Sequence, residues 1–325
     1  MEQANAIELK NITKRFGEVV ANDSVDLSVK HGEILSVLGE NGSGKTTLMN
    51  MISGIYFPDE GQIFVDGAEG SICSPKDSFA LGIGMIHQHF KLVDVLTAAE
   101  NIILGLEGKS VLDMKKVVQD IQEVTERYGF ELDPNQKIYD MSVSQKQTVE
   151  IVKMLYRGAN ILILDEPTAV LAPQETEKLF TVLRNMRDQG KSIIIITHKL
   201  NEVLALSDRV SVLRKGKYIG TVETKNATAE SLTEMMVGEK IDLNIERPDP
   251  VNPVKRLVIE NLSCVNKEGV KTLKNASMEA YGGEILGIAG IAGSGQRGLC
   301  RRPSGADQGA GGFSLGVGGH PRPGL

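Results

Sequence analysis

The feature that most constrains the fold of this chain is a glycine-rich octapeptide, Gly39, Glu40, Asn41, Gly42, Ser43, Gly44, Lys45 and Thr46. It fits the pattern G-x-x-x-x-G-K-[ST] of phosphate-binding loops. The apolar run before it, EILSVLG, is typical of a buried parallel strand. The segment after it, TTLMNMISG, has helical spacing and ends in glycine. This order favours a phosphate-binding loop over the alternative, a glycine-rich strand-to-helix turn without a ligand.

Each residue type in the loop has a physical role. Glycines allow backbone N–H groups to converge on phosphate oxygens without interference from Cβ atoms. The start of the following helix adds the positive end of its dipole. We expect Lys45 to reach the β- and γ-phosphates and the Thr46 hydroxyl to ligate Mg²⁺, with Thr47 completing the nucleotide-binding set. The predicted ligands are therefore ATP and Mg²⁺.

Two further apolar runs end in polar residues. ILILDE ends in Asp165 and Glu166, and SIIIITH ends in His198. Open α/β sheets bind ligands at the carboxyl ends of their strands. We therefore expect Asp165 to hold Mg²⁺ and Glu166 to polarise the attacking water. The alternative for the acids is a solvated strand end, and for His198 a structural role; beside a phosphate loop we favour a contact of His198 with the γ-phosphate.

These motifs resemble the ATP-binding cassette (ABC) family. Gln88, in MIHQHF, resembles the family's glutamine loop, which implies contacts with Mg²⁺, with water and with a membrane subunit. The segment MSVSQ, residues 141–145, resembles the signature LSGGQ and implies a nucleotide-binding role for Ser142 and Gln145. Residues 169–172, AVLA, resemble the loop that crosses the dimer interface of the family.

The resemblance also implies a fold and an adenine contact. Phe16, in KRFG, occupies the position of an aromatic residue that stacks on adenine. The expected fold is α/β: a P-loop NTPase domain of the ABC type, with an antiparallel β subdomain and a helical subdomain. Residues 89–140 fit the helical subdomain, because LTAAENIILGL and MKKVVQDIQEVTERYGF have helical apolar spacing. The alternative is a simple helical flank on the sheet.

Within the family the sequence most resembles the double-cassette ATPases of simple-sugar and nucleoside importers. The phrase LYRGANILILDEPTAVLAPQE is typical of that branch. The resemblance covers residues 6–297. It implies an ATP-hydrolysing subunit that energises import, with inner-membrane permease subunits, an extracytoplasmic substrate-binding protein and a second cassette as partners. It also implies a peripheral location on the cytoplasmic face of the cell membrane, and it does not identify the solute.

An internal repeat defines the expected domains. AIELKNIT at residues 6–13 recurs as LVIENLSC at 257–264, and GEILSVLGENGSG at 32–44 recurs as GEILGIAGIAGSG at 283–295. Both pairs have the same offset, which a chance match would not produce. The sequence predicts a first ABC domain at residues 1–240, a linker at 241–256 and the start of a degenerate second ABC domain at 257–297. Residues 298–325 form a glycine- and proline-rich tail that is disordered or results from a frameshift.

Two departures from the family pattern affect the expected activity. In the second loop, Gln296 and Arg297 replace the lysine and the threonine, which removes the phosphate clamp and the Mg²⁺ hydroxyl. In the first signature, Val143 and Ser144 stand where the family has glycine. In a head-to-tail pair of cassettes both defects fall on one composite site. The loop with Lys45 would need a second signature, and the chain ends before one, so we expect it to bind ATP but to hydrolyse it slowly.

Charge and cysteine content narrow the alternatives. The net charge of −6 argues against a nucleic-acid partner, which would need a basic face. Three widely spaced cysteines form no disulfide or zinc pattern, and neither a signal peptide nor an apolar run long enough to span a bilayer is visible. Two alternatives remain: an ABC ATPase that acts on ribosomes or DNA, and a low-activity fragment of a frameshifted gene.

Overall fold

The computed structural model describes residues 5–106, 113–239, 253–265, 271–290, 294–301 and 314–317. The chain divides into two compact units, residues 1–243 and residues 244–325. Strands of the first unit are β1 Asn5–Phe16, β2 Val19–Lys30, β3 Ile34–Leu38, β4 Glu60–Val65, β5 Ala68–Glu69, β6 Ile83–Ile86, β7 Ile161–Asp165, β8 Ser192–Thr197, β9 Arg209–Arg214 and β10 Lys217–Glu223. Its helices are α1 Lys45–Ile52, α2 Pro75–Ala80, α3 Ala98–Ile103, α4 Met114–Tyr128, α5 Val143–Tyr156, α6 Pro173–Asp188, α7 Leu200–Leu206 and α8 Ala229–Val237, with 3-10 turns at Ile138–Asp140 and Thr224–Asn226.

The first unit is built on a six-stranded sheet with strand order β10-β9-β3-β8-β7-β6. Five strands are parallel, and only β10 runs antiparallel to its neighbour. Strands β3, β7 and β8 are apolar along almost their whole length because both faces of the sheet are covered. Their carboxyl ends lie at one edge, which is where the predicted site residues follow.

Alternate residues of these strands enter different cores. Ile161 and Ile163 of β7 pack with α1 and the antiparallel strands, whereas Leu162 and Leu164 pack with α5 and α6 on the opposite face. This alternation follows from the period of two in a strand. It places Asp165, the next residue in the alternation, on the face that carries α1. The sequence of β7 thus decides on which side of the sheet its terminal acid lies.

A second sheet in this unit has the order β2-β1-β4-β5 and is antiparallel throughout. Its inward apolar residues share a core with α1 and the central sheet. Helices α3, α4 and α5 enclose a separate apolar core. The expected α/β fold with an antiparallel β subdomain and a helical subdomain is therefore confirmed, and α5 extends the helical layer beyond the predicted range 89–140.

The second unit consists of strands β11 Lys255–Val265, β12 Lys271–Tyr281 and β13 Ser314–Val317, in the antiparallel order β12-β11-β13, and helix α9 Gln296–Arg301. Ile259, Leu262 and Cys264 form its small core. Most of the predicted linker, residues 241–252, lies outside the described residues. So do residues 302–313 and 318–325 of the predicted tail, whereas its residues 314–317 form β13.

One predicted repeat of structure is not found. Residues 284–290 repeat the sequence before the first glycine loop, yet they form no strand, and Ile285 is 83% exposed. In the first unit β3 is held between β8 and β9. In the part of the second unit that the structure describes, no parallel strand lies beside residues 284–290. The apolar run therefore lacks, among the described residues, the neighbouring strand that a buried parallel strand requires.

Among the residues that the structure describes, no helix combines the length and the apolar character needed to cross a bilayer.

Candidate functional site

The glycine-rich loop connects the end of β3 to the start of α1. Gly44 has φ +96°, and a Cβ atom there would lie 2.3 Å from the carbonyl oxygen of Ala21. A Cβ at Gly39 would lie 2.3 Å from the carbonyl oxygen of Leu213. Only glycine fits such close backbone approaches. The glycines thus let the loop fold tightly between β2, β9 and α1.

Lys45, the first residue of α1, points back over the loop. Its Nζ donates hydrogen bonds to the carbonyl oxygens of Gly39, at 2.7 Å, and Glu40, at 2.8 Å. The residue is only 6% exposed. Burial lowers the pKa of the Lys45 ammonium, while the charges of Glu166, Asp165 and Glu40 act in the opposite direction. The loop therefore holds a cation in a poorly hydrated place, where it can interact strongly with an anion.

Asp165, at the carboxyl end of β7, is buried next to the loop. Burial and the neighbouring charge of Glu166 raise the pKa of the Asp165 carboxyl, and the hydrogen bond from Thr46 and the charge of Lys45 oppose that rise. The hydroxyl that follows the loop lysine and the carboxylate at the strand end are thus in direct contact. These are oxygen ligands of the kind that Mg²⁺ prefers.

Glu166 is held in an unusual backbone conformation. Its φ of +49° lies in the left-handed region, and its N–H donates to the carbonyl oxygen of Ile196 at 2.9 Å. Oε1 lies 2.8 Å from Nδ1 of His198, which follows β8. Oε2 is buried and has no hydrogen-bond partner among the described residues. One oxygen is therefore anchored by the imidazole, and the other is available inside the site.

A cavity of about 700 Å³ joins these residues. From the predicted site it is lined by Asn41, Gly42, Ser43, Gly44, Lys45, Thr46, Thr47, Gln88, Asp165, Glu166 and His198. The predicted residues that do not line it are Gly39, Glu40, Phe16, Ser142 and Gln145. Loop, acids, glutamine and histidine, which are far apart in sequence, thus meet at one sheet edge.

Phe16 lies at the end of β1, outside the lining of the cavity. Its ring packs edge-on against Tyr56, with 5.3 Å between the ring centroids, and the ammonium of Lys14 lies 5.6 Å from its centre. The apolar wall of the cavity is formed by Val19 and Val20 instead. The proposed stacking of adenine on Phe16 stays a prediction.

Ser142 and Gln145 begin α5 and cap it reciprocally. The Ser142 hydroxyl accepts from the N–H of Gln145 at 3.3 Å, and the Gln145 side chain accepts from the N–H of Ser142 at 2.9 Å. Such a capping box stabilises the first turn of a helix. Ser144 donates to Oε1 of Glu175 at 2.6 Å. The predicted signature is thus a helix start that lies apart from the cavity of its own chain.

Sequence reasoning missed the turn between β9 and β10, where Lys215 and Gly216 line the cavity. The N–H of Gly216 donates to the carbonyl oxygen of Ser43 at 3.2 Å, and its own carbonyl accepts from the N–H of Asp23 at 2.8 Å. The turn therefore braces the glycine loop from outside. A Lys-Gly pair between two apolar runs is a hairpin signal, although it does not indicate what the hairpin contacts.

The residues present fit a magnesium-bound triphosphate. The hydroxyl of Ser43 is buried with no hydrogen-bond partner in the described part of the chain, and it lies at the cavity together with Oε2 of Glu166 and the ammonium of Lys45. No group of three or more His, Cys, Asp and Glu side chains in the described ranges could hold a metal ion on its own. Mg²⁺ is commonly held by one or two carboxylates together with substrate phosphates and water. Asp165, Thr46 and Gln88 suit that arrangement.

Comparison with known sequences identifies relatives along nearly the whole chain. Residues 22–169 match the family described as ABC transporter. The nucleoside import ATP-binding protein NupA of Lactococcus lactis is 47% identical over 94% of this chain and 61% of its own length. The guanosine import ATP-binding protein NupO of Bacillus subtilis is 46% identical, and the ribose import ATP-binding protein RbsA 1 of Streptomyces avermitilis is 41% identical. The chain spans about three fifths of the length of these relatives.

Solved structures agree with the fold. The ADP conformation of MJ1267, an ATP-binding cassette of an ABC transporter, is 26% identical with a TM-score of 0.65, and it covers 72% of this chain and 99% of that protein. A dimeric post-hydrolysis state of the cassette MJ0796, bound to ADP and Pi, is 28% identical with a TM-score of 0.57, covering 67% and 98%.

Proposed function

We propose that the chain is an ATP-binding subunit of the ABC transporter family, which binds Mg²⁺-ATP at the cavity beside Lys45 and hydrolyses it to energise the import of simple sugars or nucleosides. The observation that carries the proposal is the meeting of Lys45, Asp165 and the Glu166–His198 pair at one cavity. Relatives named for nucleoside, guanosine and ribose import support the class of solute.

The loop and the first turn of α1 would hold the phosphates. Lys45 is the buried cation of the site, and its two present acceptors are backbone carbonyls of the loop. A phosphate oxygen is a stronger acceptor than a peptide carbonyl because the bond to it is charge-assisted at both ends. The backbone N–H groups of the loop and the hydroxyl of Ser43 would complete the cradle.

Asp165 and Thr46 would hold Mg²⁺, with Gln88 as a further oxygen ligand. The bound ion supplies neutralisation of the charge on the phosphate oxygens. Because the Asp165 carboxyl is buried and lies beside Glu166, a divalent cation would also relieve the electrostatic cost of its negative charge. The buried acid is thus suited to a divalent cation.

Glu166 would orient the attacking water through Oε2, the oxygen without a protein partner. His198 would keep Oε1 in place and could contact the γ-phosphate with its outer nitrogen, because half of its side chain is exposed. A carboxylate fixed in this way can accept a proton from water. Phosphoryl transfer requires positioning and charge stabilisation more than covalent chemistry, and these side chains would supply this chain's part of both.

The proposed partners follow from the importer assignment. The chain would bind inner-membrane permease subunits from the cytoplasmic side, and an extracytoplasmic binding protein would deliver the solute to them. A second cassette, in this protein or another copy, would supply the partner signature. The relatives named for nucleoside and guanosine import are 47% and 46% identical, and the one named for ribose import is 41% identical, so a solute-uptake assay is needed to choose between nucleosides and sugars.

The decisive experiment measures the affinity for Mg²⁺-ATP by calorimetry in the full chain. Lys45→Ala should weaken binding by about ten- to a hundredfold, as expected for the loss of a hydrogen bond to a charged group. Lys178→Ala, which removes a lysine with a 75% exposed side chain that does not line the cavity, serves as the control and should bind like the parent. Equal affinity of Lys45→Ala and the parent would refute the proposed site.

A further inference from the structure

Helix α5 carries three polar side chains at three-residue intervals, Ser144, Gln147 and Glu150. Residues three apart lie on neighbouring positions of one helix face. The face therefore presents a polar stripe about 9 Å long along the helix axis. The start of the stripe lies in the predicted signature segment, and its end lies deep in the helical layer.

Each member of the stripe contacts a different segment. Ser144 donates to Glu175 at 2.6 Å. Gln147 donates to the carbonyl oxygen of Pro167, directly after Glu166, at 2.8 Å. Glu150 accepts from the backbone N–H of Lys91, three residues after Gln88, at 2.8 Å. One helix thus contacts the neighbourhoods of both Glu166 and Gln88.

A small cavity of about 90 Å³ shows how close these segments are. It is lined by residues 86–90, by residues 165–167, 169 and 170, and by Gln147. Lys91, whose N–H donates to Glu150, directly follows residues 86–90. A shift of residues 88–91 relative to α5 would therefore change the position of Gln88 with respect to Glu166.

Glu150 is unusual because it is only 5% exposed. Besides the N–H of Lys91, its carboxylate has the ammonium of Lys153 at 3.9 Å, and it acts against the lowering of the Lys153 pKa by burial. A buried carboxylate is costly unless it is paired and hydrogen-bonded. A helix that only had to fill the core could carry an apolar residue here, so the contact with the loop is a specific feature.

We infer that Glu150 is a positioning residue of the proposed ATPase: through the N–H of Lys91 it fixes residues 88–91 to α5, and thereby sets where Gln88 stands at the cavity. The inference rests on the proposed function for its effect on turnover. Glu150 does not line the nucleotide cavity, whereas Lys45 and the loop that would hold the phosphates do, so we expect it to affect the rate of hydrolysis more than the affinity for Mg²⁺-ATP.

The bond itself is tested first by amide hydrogen exchange with NMR detection in the full chain, which needs no variant. The Lys91 amide should exchange at least tenfold more slowly than an unprotected amide, because its N–H donates to a buried carboxylate. In Glu150→Ala the protection should disappear, and in Glu150→Gln, which keeps an acceptor oxygen, most of it should remain. An unprotected Lys91 amide in the parent overturns the inference whether or not any variant folds.

Kinetics then separate positioning from general damage. Glu150→Ala should lower kcat by about tenfold with a smaller change in the dissociation constant for Mg²⁺-ATP, and Glu150→Gln should restore most of the rate. Glu126→Ala, an exposed change on α4, is the matched control and should behave like the parent. An unchanged kcat in Glu150→Ala, or an equal loss in Glu150→Gln, contradicts the inference.

The two proposals fail in different ways. Equal nucleotide affinity of Lys45→Ala and the parent would refute the proposed function, and the exchange rate of the Lys91 amide could still be measured. A normal Lys45 effect together with an unprotected Lys91 amide would remove only the role of Glu150.

Discussion

The Nδ1 atom of His198 lies 2.8 Å from Oε1 of Glu166. The two residues follow β8 and β7, which are adjacent and parallel, with Asp165 opposite Ile196 in the register. The contact is therefore fixed by the sheet and not by a flexible loop. Because Oε1 is held in place, the position of Oε2 is also defined.

Glu166→Gln should lower the rate of ATP hydrolysis by about a hundredfold or more, as expected for the loss of a general base. Binding of Mg²⁺-ATP should be retained, because the amide has the same shape and removes a negative charge near the phosphates. The measurement is phosphate release under single-turnover conditions, alongside nucleotide affinity. A variant with parental turnover would exclude Glu166 as the base.

His198→Ala should lower turnover less than Glu166→Gln, by about tenfold, because it frees Oε1 without removing the carboxylate. His198→Asn is the informative companion, since its amide nitrogen can take the place of Nδ1. We expect the asparagine variant to recover part of the lost rate. If alanine and asparagine give the same rate, the contact with Glu166 does not matter for hydrolysis.

Gly44→Ala should abolish nucleotide binding or strongly destabilise the first unit, since its Cβ would lie 2.3 Å from the carbonyl oxygen of Ala21. Gly42→Ala is a matched control: Gly42 also has positive φ, at +80°, but a Cβ there would meet no atom within 4 Å. Its cost should be limited to about 1–2 kcal/mol of backbone strain. Thermal unfolding and ATP affinity of both variants provide the comparison, and an equal effect would mean that steric crowding is not decisive.

Glu33→Gln should stabilise the protein at neutral pH. Burial raises the pKa of the Glu33 carboxyl, and hydrogen bonds from Lys30 and Arg209 only partly oppose this. The folded state therefore holds the proton more tightly than the unfolded chain, so stability is lost as pH rises from the usual carboxyl range through the raised pKa.

The measurement is the free energy of unfolding of the parent and Glu33→Gln from about pH 4 to pH 8. The difference should be small at the acid end and should favour the variant as pH rises. Glu126→Gln, at an exposed position, should show no such trend. A variant that loses stability with rising pH relative to the parent would show that folding does not raise the pKa of Glu33.

Much of the site could be predicted from sequence because its residues follow apolar runs. Lys45 and Asp165 each stand at a fixed place relative to a buried parallel strand, and parallel strands bring their carboxyl ends to one edge. The contact of Gly216 with the loop was not predictable, because a hairpin signal gives the turn and not its neighbour. Residues 284–290 show the opposite limit: they resemble the run that forms β3, yet they form no strand, and the described part of the second unit has no partner strand beside them.

The left-handed backbone of Glu166 has a consequence for laboratory evolution. Glycine or asparagine would adopt this conformation with less strain than glutamate, so a screen that rewards heat resistance alone should enrich Glu166→Gly or Glu166→Asn. The selected variants would unfold at higher temperatures and would lack the carboxylate of Glu166. A mutant library designed to raise the thermal stability of this protein should therefore leave Glu166 unchanged.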